Sequence, residues 1–202
     1  AFLLRVFQLD LVSLRGDEAF TVIFVQRTWE GLWRGIRFIE PNPPLYYLAL
    51  RGWVALAGAS EFAARYFSVF FGVLCVPLVY RLAIVIASEA KQSPASRGGL
   101  LRPFGARNDT ITLLAAALSA INPYQIWHSQ DARNYTLWPA LSLLALVFFW
   151  RWWKLEIGDW RLEIRDARFL NLHASRLISN LAFYTLATTA SLYSHYYDSF
   201  TL

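Results

Sequence analysis

Long apolar stretches with almost no charge constrain the fold of this chain more than any other feature. The first complete one covers residues 66–87, and its single charge, Arg81, lies near the far end, where the side chain can reach the headgroups. A helix needs about 20 apolar residues to cross the hydrocarbon core of a bilayer. This stretch therefore predicts a transmembrane helix, and similar stretches predict further spans at 111–127, 135–153 and 177–197. The expected fold is an all-α, polytopic transmembrane helical bundle.

Composition agrees with a membrane protein. Hydrophobic residues make up 56% of the 202 residues and charged residues only 16%, whereas about 25% charge is usual in soluble domains. The net charge is +5, but the basic residues cluster in loops between the predicted spans. Membrane proteins typically carry Lys and Arg in their cytoplasmic loops, so the positive charge does not predict a nucleic-acid partner. The single cysteine, Cys75, excludes a disulfide within the sequence.

The charge of the loops predicts which side of the membrane each one occupies. Loops 88–110 and 154–176 are rich in Lys and Arg, which places them in the cytoplasm. Both resemble translated bacterial genomic repeats, so we interpret them as insertions without a function. Alternation then places a first outer loop, about residues 5–65, on the extracytoplasmic face, together with the segments around Arg133 and His195.

The first outer loop has its own predicted structure. Tryptophans among apolar residues, at Trp29 and Trp33, indicate amphipathic helices that lie at the membrane surface. Residues 45–57 are apolar but too few to cross, and Arg51 lies in their middle, so we expect a tilted or partly inserted helix. The chain contains no methionine and both ends fall in apolar runs. We therefore expect the N-terminal part of a longer protein, inactive on its own.

Asp17 and Glu18 are the first candidate site residues. Adjacent carboxylates repel each other, so they need water, a cation or a proton-transfer role to remain together. The structural alternative is a helix start, with Asp17 as the N-cap residue and Glu18 in the first turn. Both interpretations stay open from the local sequence.

Other polar residues are expected on the same side of the membrane. Asp131 and Arg133 form either a surface ion pair or a phosphate-binding arginine oriented by a carboxylate. His195 is either a hydrogen-bonded structural group or a ligand for phosphate that can also carry a proton. Arg51, between apolar neighbours, needs a partner, and an acid of the first loop is one candidate.

The order of these motifs resembles a known class. The ordered set is Asp17-Glu18, Asn42-Pro43-Pro44-Leu45-Tyr46-Tyr47, Gly58-Ala59-Ser60-Glu61 with Arg65, Ser129-Gln130-Asp131-Ala132-Arg133-Asn134-Tyr135, and Tyr193-Ser194-His195-Tyr196. It is similar to the N-terminal half of bacterial polytopic glycosyltransferases of the GT-C class, relatives of the protein O-mannosyltransferases and the lipid A aminoarabinose transferase. The resemblance covers nearly all of residues 1–202 apart from the two inserts. It implies one transmembrane glycosyltransferase domain in the bacterial plasma membrane.

The resemblance also implies a reaction and its residues. The donor is a polyprenyl-phosphate-linked sugar, and the acceptor is a hydroxyl on a lipid, glycan or protein at the extracytoplasmic face. Asp17 matches the catalytic acid that serves as general base, and Glu18 matches its partner. Arg133 and His195 match positions near the donor phosphate, and Asp131, Tyr46, Tyr47 and Arg51 complete the predicted substrate-binding set. Related sequences often have histidine before the double proline, where this chain has Asn42, so a role for that histidine does not transfer.

Two other functional classes compete with this interpretation. A transporter or flippase for a lipid or small solute would use Arg51 and the carboxylates as a substrate or proton site. Such a protein should show inverted repeats with ionisable groups near mid-membrane, and the sequence contains no such repeat. A non-catalytic scaffold explains the spans but not the set of outer polar groups. No cofactor is predicted, although neighbouring carboxylates are compatible with a divalent metal.

Overall fold

The computed structural model describes residues 1–40, 42–90, 104–158 and 167–195, with side chains described for 1–40, 42–87, 109–154 and 174–195. These residues form helices, turns and bends, and no strand occurs among them. The all-α prediction is thus confirmed for the described part of the chain. Its helices are α1 (Phe2–Val6), α2 (Gly16–Val25), α3 (Trp29–Phe38), α4 (Leu45–Ala57), α5 (Glu61–Ala90), α6 (Phe104–Ile121), α7 (Pro123–Ser129), α8 (Leu137–Gly158) and α9 (Ala167–Leu192).

Helix α5 is the central element of the fold. It packs against α1, α4, α6, α7 and α8, and α9 in turn packs on α8. Among the described residues, its segment Glu61–Ala87 is the one helix long and apolar enough to span a membrane. Only 17% of its most apolar stretch is buried inside the protein, so most of its apolar surface is not covered by other described residues. The predicted span 66–87 lies within it.

The predicted span 111–127 differs from the structure. Helix α6 ends at Ile121 and a separate helix, α7, begins at Pro123. Proline has no N–H to donate and disfavours a helical conformation in the residue before it. The side chain of Asn122 caps the new helix by accepting hydrogen bonds from the N–H groups of Tyr124 at 2.9 Å and Gln125 at 3.2 Å. The break turns the chain toward the segment that contains Asp131 and Arg133.

The last two predicted spans coincide with long helices whose ends are shifted. Prediction 135–153 corresponds to α8, and prediction 177–197 corresponds to α9, which ends at Leu192. Helices α5 and α6 extend into the predicted insert-like loop 88–110, and helices α8 and α9 extend into the predicted loop 154–176. Residues 91–103 and 159–166 in these loops, and 196–202 at the end of the last predicted span, lie outside the described residues.

The predicted first outer loop is a folded layer of helices. Helix α4 has the predicted bounds, and it ends at Gly58, whose φ of 85° is a conformation that glycine adopts without strain. Helices α2, α3 and α4 share one apolar core with the start of α5 and of α8. Its buried members are Phe24, Val25, Leu32, Tyr46, Tyr47, Leu50, Phe67 and Leu137. This core fixes the position of α2, and with it the carboxylates at its beginning.

A fully buried arginine, Arg5, joins α1 to the break between α6 and α7. Its guanidinium donates hydrogen bonds to the carbonyls of Ser119 at 3.2 Å and Ala120 at 2.9 Å, and to the hydroxyl of Ser129 at 3.2 Å. Carbonyls at a helix C-terminus carry partial negative charge, so they stabilise the buried cation without a carboxylate. Sequence reasoning assigned no role to Arg5.

Candidate functional site

Glu18 and Arg65 form a buried ion pair beneath the candidate site. Glu18 is the third residue of α2 and Arg65 lies in the first turns of α5. The two oxygens of the carboxylate accept hydrogen bonds from Arg65 Nε at 2.9 Å and from Nη2 at 2.8 Å. The Glu18 residue is 1% exposed and Arg65 is 5% exposed. A bidentate ion pair of this kind is strong, and it fixes the relative orientation of the two side chains.

The same two side chains hold three other segments in place. Glu18 also accepts hydrogen bonds from the backbone N–H groups of Arg15 and Ala132, both at 3.0 Å. Arg65 donates to the carbonyls of Leu9, Val12 and Ser13. The pair therefore fastens the chain before α2, the start of α2 and the turn before α8 to the start of α5.

These bonds keep Glu18 ionised. Burial by itself raises the pKa of Glu18, but the hydrogen bonds from Arg65, Arg15 and Ala132 outweigh it and lower the pKa to about 2. Each of the two carboxylate oxygens of Glu18 accepts two hydrogen bonds. We conclude that Glu18 is a structural anion, although the resemblance placed it among the catalytic residues.

Asp17, the neighbouring carboxylate, has the opposite environment. Its side chain is exposed, and it forms no hydrogen bond or ion pair with another described residue. The N-cap residue of α2 is Arg15, so the N-cap role suggested for Asp17 does not occur. The negative charge of Asp17 contributes, after those of Tyr47 and Tyr135, to raising the pKa of the Arg133 guanidinium. The Asp17 carboxylate is thus accessible to solvent.

Arg133 is a half-buried cation in the turn that precedes α8. Its guanidinium lies 6.0 Å from the ring centre of Tyr135, and its backbone carbonyl accepts a hydrogen bond from the hydroxyl of Ser68 at 3.2 Å. Burial by itself lowers the pKa of Arg133, but Tyr47, Tyr135 and Asp17 raise it. No carboxylate in the described residues lies within 4.0 Å of this guanidinium. The positive charge is held in place and remains able to bind an anion.

Asp131 pairs with Arg15 rather than with Arg133. The Asp131 carboxylate lies 3.2 Å from Arg15 Nη2, and the guanidinium of Arg15 lies 5.6 Å from the ring centre of Trp127. Burial, followed by the nearby negative charge of Glu18, raises the pKa of Asp131 above its ordinary value. This ion pair connects the start of α2 with the turn after α7.

Tyr46 and Tyr47, predicted to bind substrate, are core residues. Each is 2% exposed. The ring of Tyr47 packs edge-on against Phe24 at 5.2 Å and against Tyr46 at 5.7 Å. The Tyr46 hydroxyl is buried next to Ser68 without a well-aligned hydrogen bond. Both tyrosines are therefore part of the apolar core shared by α2, α3 and α4.

His195 and Arg51 lie at two different places. His195 is buried, and its ring stacks on Trp138 at 5.0 Å between centroids. Its segment belongs to the site region, because the Asn134 side chain donates to the Ser194 carbonyl at 2.9 Å. Arg51 instead donates to the carbonyls of Val25 and Arg27, both at 2.6 Å, so it caps the C-terminus of α2. It therefore binds carbonyls rather than an acid of the first loop.

Four motifs that are distant in sequence thus meet at one end of the bundle. The start of α2, the turn before α8 and the end of α9 are joined by the bonds above, and the Leu45 N–H donates to the Tyr193 carbonyl at 3.0 Å. Sequence reasoning did not assign Arg65 or Arg15 to the site. The signal for Arg65 was a charge in the first turns of an otherwise apolar helix, since a charge that becomes buried there requires a partner.

Neither a metal-binding cluster nor a similarity to a known protein adds a residue to the candidate site. In the described ranges, no group of three or more His, Cys, Asp or Glu side chains is arranged to hold a metal ion. No protein-family model, curated protein or solved structure was found to match this chain. The geometry at the end of the bundle is therefore the basis for a functional interpretation.

Proposed function

We propose that this chain belongs to a polytopic membrane glycosyltransferase of the GT-C type, as its motif order suggests. It would transfer a sugar from a polyprenyl-phosphate donor to an acceptor hydroxyl at the extracytoplasmic face of the bacterial plasma membrane. One observation supports this most: the buried pair of Glu18 and Arg65 holds the neighbours of both groups, because Glu18 follows Asp17 in α2 and accepts a hydrogen bond from the N–H of Ala132, which precedes Arg133. An exposed carboxylate and a half-buried cation next to this pair are the groups expected to serve as base and phosphate-binding residue.

Sugar transfer needs these two groups. The oxygen of the acceptor hydroxyl forms a bond to the anomeric carbon, the bond from that carbon to the phosphate oxygen breaks, and polyprenyl phosphate leaves. Asp17 takes the proton of the acceptor as general base, and Arg133 stabilises the negative charge on the departing phosphate. A single displacement of this kind inverts the anomeric configuration.

The apolar surface supports a lipid-embedded enzyme. Besides α5, helix α6 exposes Ile111, Leu113, Leu114, Leu118 and Ile121, and helix α9 exposes Ile178, Leu181, Phe183 and Leu186. Apolar side chains exposed along several long helices favour a bundle with more than one span. The charged groups of the site lie in turns and at helix starts, which favours a transferase over a transporter with ionisable groups at mid-membrane.

Transfer assays on membranes that contain the intact protein test this proposal. With labelled polyprenyl-phosphate sugars as donors, Asp17→Asn should reduce the transfer rate by about 100-fold or more, as expected for the loss of a general base. Arg133→Gln should also abolish most transfer. Asp10→Asn, a change at another exposed acid of the same loop, is the matched control and should leave the rate unchanged. Full activity of Asp17→Asn at normal membrane insertion would remove Asp17 from the mechanism.

A further inference from the structure

We infer that Arg15 and Asp131 are positioning residues whose ion pair holds Asp17 and Arg133 in a fixed relative position. This inference rests on the proposed function, because it concerns the base and the cation that would act in sugar transfer. Asp131, which the motif order placed among the substrate-binding residues, then acts through its own segment rather than on the substrate.

Two contacts join the start of α2 to the turn before α8. The Asp131 carboxylate lies 3.2 Å from Nη2 of Arg15, and the N–H of Ala132 donates to the carboxylate of Glu18 at 3.0 Å. On the α2 side, one contact precedes Asp17 in sequence and the other follows it. A single hydrogen bond lets two segments rotate about it, whereas a second contact beside it prevents that rotation.

Each partner of the ion pair is also bonded to the segment that it positions. The backbone carbonyl of Arg15, the N-cap residue of α2, accepts the first hydrogen bond of the helix from the N–H of Ala19 at 2.8 Å. The backbone carbonyl of Asp131 accepts a hydrogen bond from the N–H of Arg133, also at 2.8 Å. A shift of Arg15 therefore moves the helix turn that carries Asp17, and a shift of Asp131 moves Arg133.

The ion pair is well oriented but only partly buried. The guanidinium of Arg15 lies 5.6 Å from the ring centre of Trp127, so it contacts α7 as well as the turn that follows this helix. The Arg15 side chain is nevertheless 52% exposed, whereas that of Asp131 is 14% exposed. Ion pairs with an exposed partner contribute little to folding stability. The effect of this pair on the geometry of the site can therefore be separated from its effect on folding.

Steady-state kinetics on membranes that contain the intact protein test the inference. Arg15→Ala and Asp131→Ala should each lower kcat for sugar transfer about 10- to 100-fold, because a small misplacement of reacting groups slows the chemical step. The KM values for donor and acceptor should change much less, since both binding groups are still present. The double variant should be no slower than the slower single variant, because both substitutions remove the same contact. Arg15→Lys keeps the charge and should recover part of the rate.

The exposed ion pair of Arg34 and Glu30 on α3 is the matched control, since its nitrogen and oxygen are also 3.2 Å apart. Arg34→Ala should leave kcat unchanged, and its thermal unfolding midpoint should be close to that of Arg15→Ala. Unchanged kcat in both site variants, or losses that multiply in the double variant, would overturn the inference. A much lower midpoint for Arg15→Ala than for Arg34→Ala would also overturn it, because the role would then be structural.

Amide hydrogen exchange gives a readout that does not depend on activity. In detergent-solubilised protein, peptides that cover residues 130–134 should exchange several-fold faster in Arg15→Ala than in wild type. The N–H groups of Ala132 and Arg133 form their hydrogen bonds within the turn that the ion pair holds, and the sequence of this turn is the same in both proteins. Arg34→Ala should exchange like wild type.

Equal exchange rates in Arg15→Ala and wild type would refute the role of the ion pair. If wild type transfers no sugar from any polyprenyl-phosphate donor, the proposed function fails. The exchange measurement still decides, in that case, whether the pair of Arg15 and Asp131 holds the turn in place.

Discussion

Asp17 and Glu18 are adjacent in sequence but have opposite environments because of helix geometry. Successive residues of a helix point about 100° apart, so one carboxylate can face the core while the next faces solvent. Glu18 faces inward and accepts four hydrogen bonds from Arg65, Arg15 and Ala132. Asp17 faces outward and is exposed to solvent. The repulsion between the two carboxylates is thus offset by Arg65 at Glu18 and by solvent at Asp17.

The buried pair predicts a large loss of stability when one partner is removed. Glu18→Gln leaves the guanidinium of Arg65 buried without its counter-ion, which costs about 3–5 kcal/mol in comparable sites. The thermal unfolding midpoint of the detergent-solubilised protein measures this loss. Glu30→Gln breaks an exposed ion pair on α3 and should lower stability by less than about 1 kcal/mol. Equal midpoints for the two variants would contradict the structural role of Glu18.

Low pH should remove the contribution that the ionised Glu18 carboxylate makes to folding stability. The pKa of Glu18 is lowered from 4.5 to about 2 in the folded protein, so its stabilising effect is complete above pH 4.5 and is lost as the pH falls toward 2. We expect the unfolding midpoint of wild type to fall more steeply across this interval than that of Glu18→Gln. Parallel pH curves for the two proteins would show that Glu18 is not the group responsible.

The sequence predicted Asp17, Glu18 and Arg133 as site residues, but it did not predict their environments. Burial of Glu18 depends on Arg65, which is 47 residues away along the chain, and on Ala132. A local pattern cannot report such contacts. The capping position of Glu18, three residues after the N-cap residue Arg15, was visible in the sequence, yet the cap was assigned to Asp17.

Helix ends were harder to predict than helix existence. The bounds of α4 were predicted from the apolar run 45–57, and in the structure they coincide with Pro44 before the helix and Gly58 after it, because both residue types are common at helix ends. The break at Asn122 and Pro123 was missed because the apolar pattern continues through it. Hydropathy alone predicted a single span over residues 111–127. In the structure this stretch is divided into α6 and α7, because the side chain of Asn122 caps the start of α7.

Close packing of α5 against α7 gives a prediction at Gly72. A Cβ atom at this position would overlap the side chain of Ser129, approaching its Cβ to 2.9 Å, so Gly72→Ala should destabilise the protein by about 1–3 kcal/mol. It should also disturb the hydrogen bond from Arg5 to Ser129. Gly52→Ala, in α4 with open space around it, should be neutral or stabilising by up to about 1 kcal/mol. Thermal midpoints compare the two, and a Gly72→Ala protein as stable as Gly52→Ala would contradict the packing.

The whole fold brings together motifs that the sequence keeps up to about 180 residues apart. Loop charge predicted that Asp17, Arg133 and His195 share one side of the membrane. In the structure, the hydrogen bonds from Ala132 to Glu18 and from Asn134 to Ser194 place their segments at one end of the bundle. The shared side of the membrane stays a prediction from loop charge, whereas the contacts between these segments depend on the packing of α5, α8 and α9 and could not be read from charge.

Cysteine accessibility in intact cells tests whether Asp17 and Arg133 share one extracytoplasmic site. In a Cys75→Ser background, which removes the single native cysteine, Asp17→Cys and Arg133→Cys are treated with a membrane-impermeant maleimide. Lys154→Cys, at the predicted cytoplasmic end of α8, is the control for the other side. We predict labelling at 17 and 133 in intact cells, and at 154 only after permeabilisation. Labelling of 17 and 133 from opposite sides of the membrane would contradict the proposed site.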